Sequence, residues 1–217
     1  MSPRTPQPRP ARHRFLTGAR VALIGAAAAA AGALAVALLP AQPSAAQPVP
    51  ATLTAPVLAA PTASLDGAPV DGIASGTTEQ LSYHIHAHLQ IYLNGQPRAV
   101  PYGIGVVAPL QLEQTAAGPF VVGGTEFYWL HTHDSSGVIH IESPTRRVYR
   151  LGEFFDLWGQ PLGPEQVGPA HGPVTTLVNG SPVRGDPRDI PLAAHDLIQL
   201  DVGAAVAFQP YHFPPGL

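Results

Sequence analysis

The strongest pattern along the chain is an alternation of polar and apolar side chains over residues 83–93, YHIHAHLQIYL. Alternation with a period of two indicates a half-buried β-strand. The pair Asn94-Gly95 that follows is typical of a tight hairpin turn. It predicts a return strand through residues 98–102, where Pro101 favours a sheet edge. One face of the first strand is apolar, and the other carries His84, His86, His88, Gln90 and Tyr92.

A second hairpin is predicted over residues 126–142. Its strands are EFYWLHTH and VIHIE, and the turn residues DSSG lie between them. An even turn sets His131 opposite His140 and puts Glu142 on the same face. An odd turn would instead place His140 and Glu142 among isoleucines, where an unpaired ionisable group is costly. The pattern therefore predicts the even turn.

The remaining segments predict one helix and further strands. Residues 103–124 are expected to form a loop with a short helical turn. The segment LGEFFDLWG at 151–159 carries Phe154, Leu157 and Trp158 on one helical stripe, which predicts a short core helix. Further extended segments are expected at 174–178, near Ile190 and at 196–202. The predicted fold class is α+β, with a mainly antiparallel β-sheet, one short core helix and a β-grasp-like order in the second part.

The N-terminal part of the chain has a different composition. Nineteen apolar residues, 21–39, follow a basic stretch, which predicts a signal peptide or signal anchor over residues 1–46. Residues 47–76 are rich in Ala and Pro and are expected to form a disordered linker. Phe15 is the one aromatic residue before Tyr83, so the packed domain is predicted at 77–217. The expected location of this domain is extracytoplasmic, either secreted or tethered to the membrane by residues 21–39.

Charge and cysteine content narrow the functions that the domain can have. Five of the eleven basic residues precede the apolar segment, and the rest of the chain carries six Arg against fourteen acidic residues, a formal charge of −8 (6 − 14). This balance excludes a nucleic-acid-binding surface, and membrane contact is expected only through the N-terminal segment. The chain contains no Cys, so a metal site must use imidazole, carboxylate, backbone or water.

The second hairpin carries the first candidate metal ligands. Alternate residues of a strand lie about 6.5 to 7 Å apart on one face, close enough for two imidazoles to bind one ion. His131 and His133 form such a pair, and the even turn brings His140 to the same face from the partner strand. Glu142 adds a carboxylate one alternate position further on.

His84, His86 and His88 form a second candidate set on one strand. The outer two are about 13 Å apart, so the three cannot all bind one ion. Either two of them bind while the third supports them, or the strand lies beside the first set and completes one shared site. Imidazole and carboxylate ligands without sulfur favour a divalent ion, with Zn(II) or Cu(II) first. His171, His195 and His212 are expected to be structural or exposed.

The histidine pattern supports an extracytoplasmic metal-binding protein as the first functional hypothesis. A second hypothesis is a metalloenzyme in which three histidines hold a catalytic ion and Glu142 or Glu126 acts as the general base on its water. A third is a structural or interaction domain whose histidines are hydrogen-bonded without metal. The sequence identifies neither a catalytic residue nor a protein partner.

Three motifs, HIHAHLQIYLNG, LHTHDSSGVIHIESP and LGEFFDLWG, occur together between residues 83 and 202. Together they resemble a family of exported or membrane-anchored bacterial and archaeal proteins. The resemblance implies the same extracytoplasmic location and no established activity.

Overall fold

The structure, a computed structural model, describes residues 55–217. The expected leader at 1–46 and residues 47–54 of the expected linker lie outside the described residues. We number strands and helices in chain order. One α-helix, Leu151–Trp158 (α1), and one 3-10 turn, Pro187–Asp189, occur in the described part. The strands are Ser75–Gly76 (β1), Tyr83–Leu93 (β2), Gln96–Arg98 (β3), Gln111–Thr115 (β4), Gly118–Gly123 (β5), Phe127–Tyr128 (β6), Leu130–His131 (β7), Val138–Ser143 (β8), Tyr149–Arg150 (β9), Leu162–Gly163 (β10), Gln166–Val167 (β11), Ala170–His171 (β12), Val174–Val178 (β13), Ser181–Val183 (β14), Pro191–Leu192 (β15) and Leu197–Val202 (β16).

The long strand β2 lies inside a seven-stranded sheet with the order β14-β13-β16-β2-β8-β7, and β3 also pairs with β2. Its bounds agree with the predicted strand at 83–93. The last strand, β16, runs parallel to β2, and β8 runs antiparallel to it. With strands dominating and a single short helix in the described residues, the predicted α+β class with a mainly antiparallel sheet is confirmed.

The apolar face of the sheet packs against α1 and its surroundings. Alternation places Ile85, Ala87, Leu89 and Ile91 on this face of β2, and the buried cluster on this side includes Phe154, Leu157 and Trp158 of α1. The helix begins where the Glu153 carboxylate accepts a hydrogen bond from the Arg150 backbone N–H, at 2.7 Å. It ends at Gly159, whose φ of 72° is a left-handed conformation that glycine adopts without a steric cost. The predicted core helix is therefore confirmed.

Three local predictions differ from the structure. Residues 103–124 contain a hairpin, β4 with β5, rather than a loop with a helical turn. Every residue of β4 is exposed, so no alternation of apolar and polar residues marks it. The return strand after Asn94-Gly95 is residues Gln96–Arg98 rather than 98–102. The strand expected over residues 126–133 is divided into β6 and β7 on either side of Trp129.

Residues 55–76 lie against the domain, whereas the sequence predicts a disordered linker over 47–76. Trp158 donates from Nε1 to the Ala59 carbonyl at 3.2 Å, and the Thr62 N–H donates to the Trp158 carbonyl at 3.0 Å. Ile73 is fully buried, and β1 pairs with β6. The prediction of a disordered linker is therefore wrong for residues 55–76. This segment has no aromatic side chains, and backbone hydrogen bonds hold it against the domain instead. In the part that the structure describes, no helix is both long enough and apolar enough to cross a membrane.

Backbone close to Gly105 supports the interrupted strand that carries His131. The Tyr128 N–H donates to the Gly105 carbonyl at 2.8 Å, and the Thr132 N–H donates to the Ile104 carbonyl at 3.0 Å. Gly105 has a φ of 70°, and a Cβ atom added there would lie 2.0 Å from the Leu130 carbonyl oxygen. Only glycine permits this approach, so Gly105 helps to hold His131 in place.

Gly105→Ala should therefore lower the free energy of unfolding by at least about 2 kcal/mol more than Gly95→Ala. Gly95 is the matched control, because its φ is 81° and an added Cβ meets nothing within 4 Å. Chemical denaturation monitored by tryptophan fluorescence measures both variants. An equal decrease in the free energy of unfolding for both variants would mean that the left-handed conformation, and not the close approach to Leu130, causes the destabilisation.

Candidate metal centre

Strand register brings the two predicted histidine sets together. His131 of β7 pairs with His140 of β8, which confirms the predicted even turn. On the other side of β8, His140 pairs with His86 of β2, and Glu142 pairs with His84. The sequence left open whether β2 lies beside the second hairpin, and the structure shows that it does. His140 is therefore flanked by histidines on both neighbouring strands.

These side chains form two overlapping groups whose possible ligand atoms lie within 4.8 Å of one another. His84 is exposed and the other members are buried. The described part of the chain thus contains buried histidine–glutamate clusters close enough to hold a metal ion. We call His84, His86, His140 and Glu142 the outer group, and His131, His133, His140 and Glu142 the inner group.

Backbone carbonyls determine the tautomers of His131 and His133. His131 donates from Nδ1 to the Tyr128 carbonyl at 2.9 Å, and His133 donates from Nδ1 to the Val121 carbonyl at 2.5 Å. A neutral imidazole has one N–H, so each ring carries a bare lone pair on Nε2. The two Nε2 atoms are 3.2 Å apart. Neither can donate to the other, and the close contact is repulsive unless a cation or a proton lies there.

Burial keeps most of the cluster in the neutral form. Desolvation, with His140 and His133 nearby, lowers the pKa of His131 to about 3. Desolvation and the neighbouring His84 lower the pKa of His86 to about 4. Burial also lowers the pKa of His140 well below its usual value. These rings are neutral at pH 7, which is the protonation state that binds metal ions.

Glu142 is a carboxylate inside the cluster, and its residue is only 2% exposed. Its Oε1 lies 3.1 Å from His84 Nε2 and 3.2 Å from His140 Nδ1. Its Oε2 is buried and has no hydrogen-bond partner. A buried charged oxygen without a partner is costly, so this atom is suited to a ligand that carries positive charge.

Three further residues contact the inner group. Glu79 places Oε1 3.4 Å from His133 Nε2, and its side chain is partly exposed. Phe120 stacks on His133 with ring centroids 4.9 Å apart, and Phe127 approaches His131 edge-on at 5.3 Å. The aromatic rings limit contact with water. Sequence reasoning did not identify Glu79, because it precedes β2 without any periodic relation to the histidines.

Two predicted candidates lie apart from the cluster. His88 donates from Nε2 to the Ser136 carbonyl at 2.9 Å and stacks on Tyr211, with ring centroids 3.6 Å apart. His88 belongs to neither group, so the prediction that it is a ligand is not supported. The Glu126 carboxylate accepts a hydrogen bond from Ser75 and belongs to neither group. His171, His195 and His212 are exposed, in agreement with their predicted role outside the site.

Comparisons of the chain with protein-family models, with curated proteins and with solved structures find no match in any of the three. The resemblance to exported or membrane-anchored prokaryotic proteins stays a prediction.

The metal-free protein should lose stability as the pH falls from 7 to 4.5. His131 has a pKa of about 3 when folded and about 6.5 when unfolded, so below pH 6.5 only the unfolded chain takes up this proton. The stability is complete above the unfolded pKa and declines toward the folded pKa. His131 alone should contribute a loss of roughly 2 to 3 kcal/mol over this range.

Urea denaturation in the presence of a chelator at pH 7 and pH 4.5 measures this loss. The double variant H171A/H212A removes two exposed histidines and should retain the full pH dependence. A free energy of unfolding that is the same at both pH values would show that the folded protein takes up as many protons as the unfolded chain over this range, so that burial does not keep His131 neutral.

Proposed function

We propose that this chain is an extracytoplasmic metal-binding protein that binds a divalent ion, Zn(II) or Cu(II), through the inner group. The observation that carries the proposal is the pair of bare Nε2 atoms of His131 and His133, 3.2 Å apart. Nitrogen ligands bound tetrahedrally at 2.0 to 2.1 Å are separated from one another by about 3.3 Å. The observed separation therefore matches one edge of such a site.

His140 is the third nitrogen ligand of the proposed site. It lies on β8, with its ring centroid 5.5 Å from His131 and 4.5 Å from His133. Carbonyl partners hold His131 and His133 in the tautomer that exposes Nε2, as the outer hydrogen bonds of metal-binding histidines usually do. The site is thus organised by the protein before a metal ion binds.

Ligand chemistry supports the choice of metal. Imidazole suits Zn and Cu among the ions common outside the cytoplasm, and affinity for nitrogen ligands is highest for Cu(II). The chain has no Cys, and its single Met is residue 1, so the soft sulfur ligands that favour Cu(I) are missing. The alternative of histidines that only bond to one another is less consistent with the two facing lone pairs.

Metal binding should be detectable as a change in thermal stability. Zn(II) or Cu(II) at about 100 times its dissociation constant should stabilise the protein by about 2.7 kcal/mol and raise its melting temperature by roughly 5 to 10 °C. A chelator should reverse the shift. Differential scanning calorimetry of the full chain, purified without a histidine tag, measures both effects.

The triple variant H131A/H133A/H140A should lose the metal-dependent shift, whereas H171A/H212A should retain it. Because removal of buried side chains can itself lower stability, the shift is measured within each variant, with metal against chelator. An equal shift in the triple variant and the wild type would place the metal elsewhere. No shift in the wild type would support the structural alternative.

The extracytoplasmic part of the proposal rests on the apolar segment 21–39 and the basic residues before it. Alkaline phosphatase fused after residue 217 should be active in a bacterial host, because this enzyme requires the oxidising environment outside the cytoplasm for its disulfides. Deletion of residues 21–39 should abolish that activity. An active fusion without the segment would contradict the assigned location.

A further inference from the structure

The outer group has ligands that the proposed ion at His131, His133 and His140 does not use. His84 and His86 lie on β2, on the opposite side of β8 from the inner pair. Their Nε2 atoms are 3.0 Å apart, and His84 Nε2 is 3.1 Å from Glu142 Oε1. These separations are close to those between neighbouring ligands of one small divalent ion.

The contact between His84 and His86 does not by itself require a cation, because one neutral ring can donate to the other. Glu142 provides the second, independent observation. Its residue is 2% exposed, and its Oε2 has no hydrogen-bond partner. Its Oε1 lies 3.1 Å from His84 Nε2 and 3.2 Å from His140 Nδ1. The carboxylate therefore has one oxygen in contact with the histidines and one buried oxygen available to a cation.

Glu142 also lies between the outer pair, His84 and His86, and the inner pair, His131 and His133. It contacts His84 of the outer pair, and it contacts His140, whose ring centroid is 4.5 Å from both His86 and His133. Two divalent ions at neighbouring sites repel each other, and a carboxylate between them reduces this repulsion. Paired metal sites in proteins commonly have ions about 3.5 to 4 Å apart.

We propose that His84, His86 and Glu142 bind a second divalent cation beside the first, with the Glu142 carboxylate shared between the two ions. This inference rests on the proposed function of the inner group. The side chain of His84 is 34% exposed, whereas His131 is fully buried. The outer ion is therefore the one that exchanges with solution, and it binds after the inner ion and more weakly.

Metal stoichiometry tests the inference. The full chain is loaded with Zn(II), desalted into metal-free buffer against a weak competing chelator and analysed by inductively coupled plasma mass spectrometry. The wild type and the matched control H171A/H212A should each hold two Zn(II) per chain. The variant H84A/H86A should hold one and should retain its Zn(II)-dependent melting shift, which shows that it is folded.

Electron paramagnetic resonance of the Cu(II)-loaded protein tests whether the ions are adjacent. With two equivalents of Cu(II), the wild type should show the signal loss or half-field transition of two coupled ions. H84A/H86A should show the full signal of one isolated Cu(II).

One Zn(II) per wild-type chain would overturn this inference and leave the inner site standing. Two Zn(II) ions with an uncoupled Cu(II) spectrum would also overturn it, since the ions would not share Glu142. No bound Zn(II) in the wild type would overturn both proposals together.

Discussion

The register among β2, β8 and β7 is the constraint on which the rest of the site depends. His86, His140 and His131 meet because each occupies a paired position on adjacent strands. A slip of one residue would turn every histidine of the shifted strand toward the isoleucine-rich core and bring apolar side chains to the polar face. Burial of Ile139 and Ile141 against α1 therefore holds the histidines in position, although no isoleucine contributes a ligand.

Local periodicity was sufficient to predict the parts of the fold in which each residue has a simple alternating environment. It identified β2 with its bounds, the amphipathic helix α1 and the even turn that pairs His131 with His140. It could not predict that β2 lies beside β8, because this pairing joins segments far apart in the chain. It also missed β4, whose residues are all exposed and therefore carry no alternation.

The predicted site was more complete than the predicted chain topology. Six of the seven proposed ligands lie in the two groups, since ligands on one strand face are a local property. His88 shares that face, yet the C-terminal tail separates it from the others through stacking with Tyr211.

The same tail explains why β2 is buried on both faces rather than one. Gln90 donates to the Gln209 carbonyl, and Asp201 accepts from the Val206 N–H, so residues 203–217 cover the polar side of the sheet next to the histidines.

The carbonyls that orient His131 and His133 come from different segments, Tyr128 beside β7 and Val121 in the hairpin β4–β5. An ion bound to the inner group would therefore act as a cross-link between that hairpin, the interrupted edge strand and β8. Unlike a disulfide, this cross-link is absent from the unfolded chain, which does not hold the ligands together, so its binding free energy stabilises the folded state directly. In a protein without cysteine, the histidines would then join distant segments of the chain, as a disulfide does, but through metal bonds that a chelator can remove.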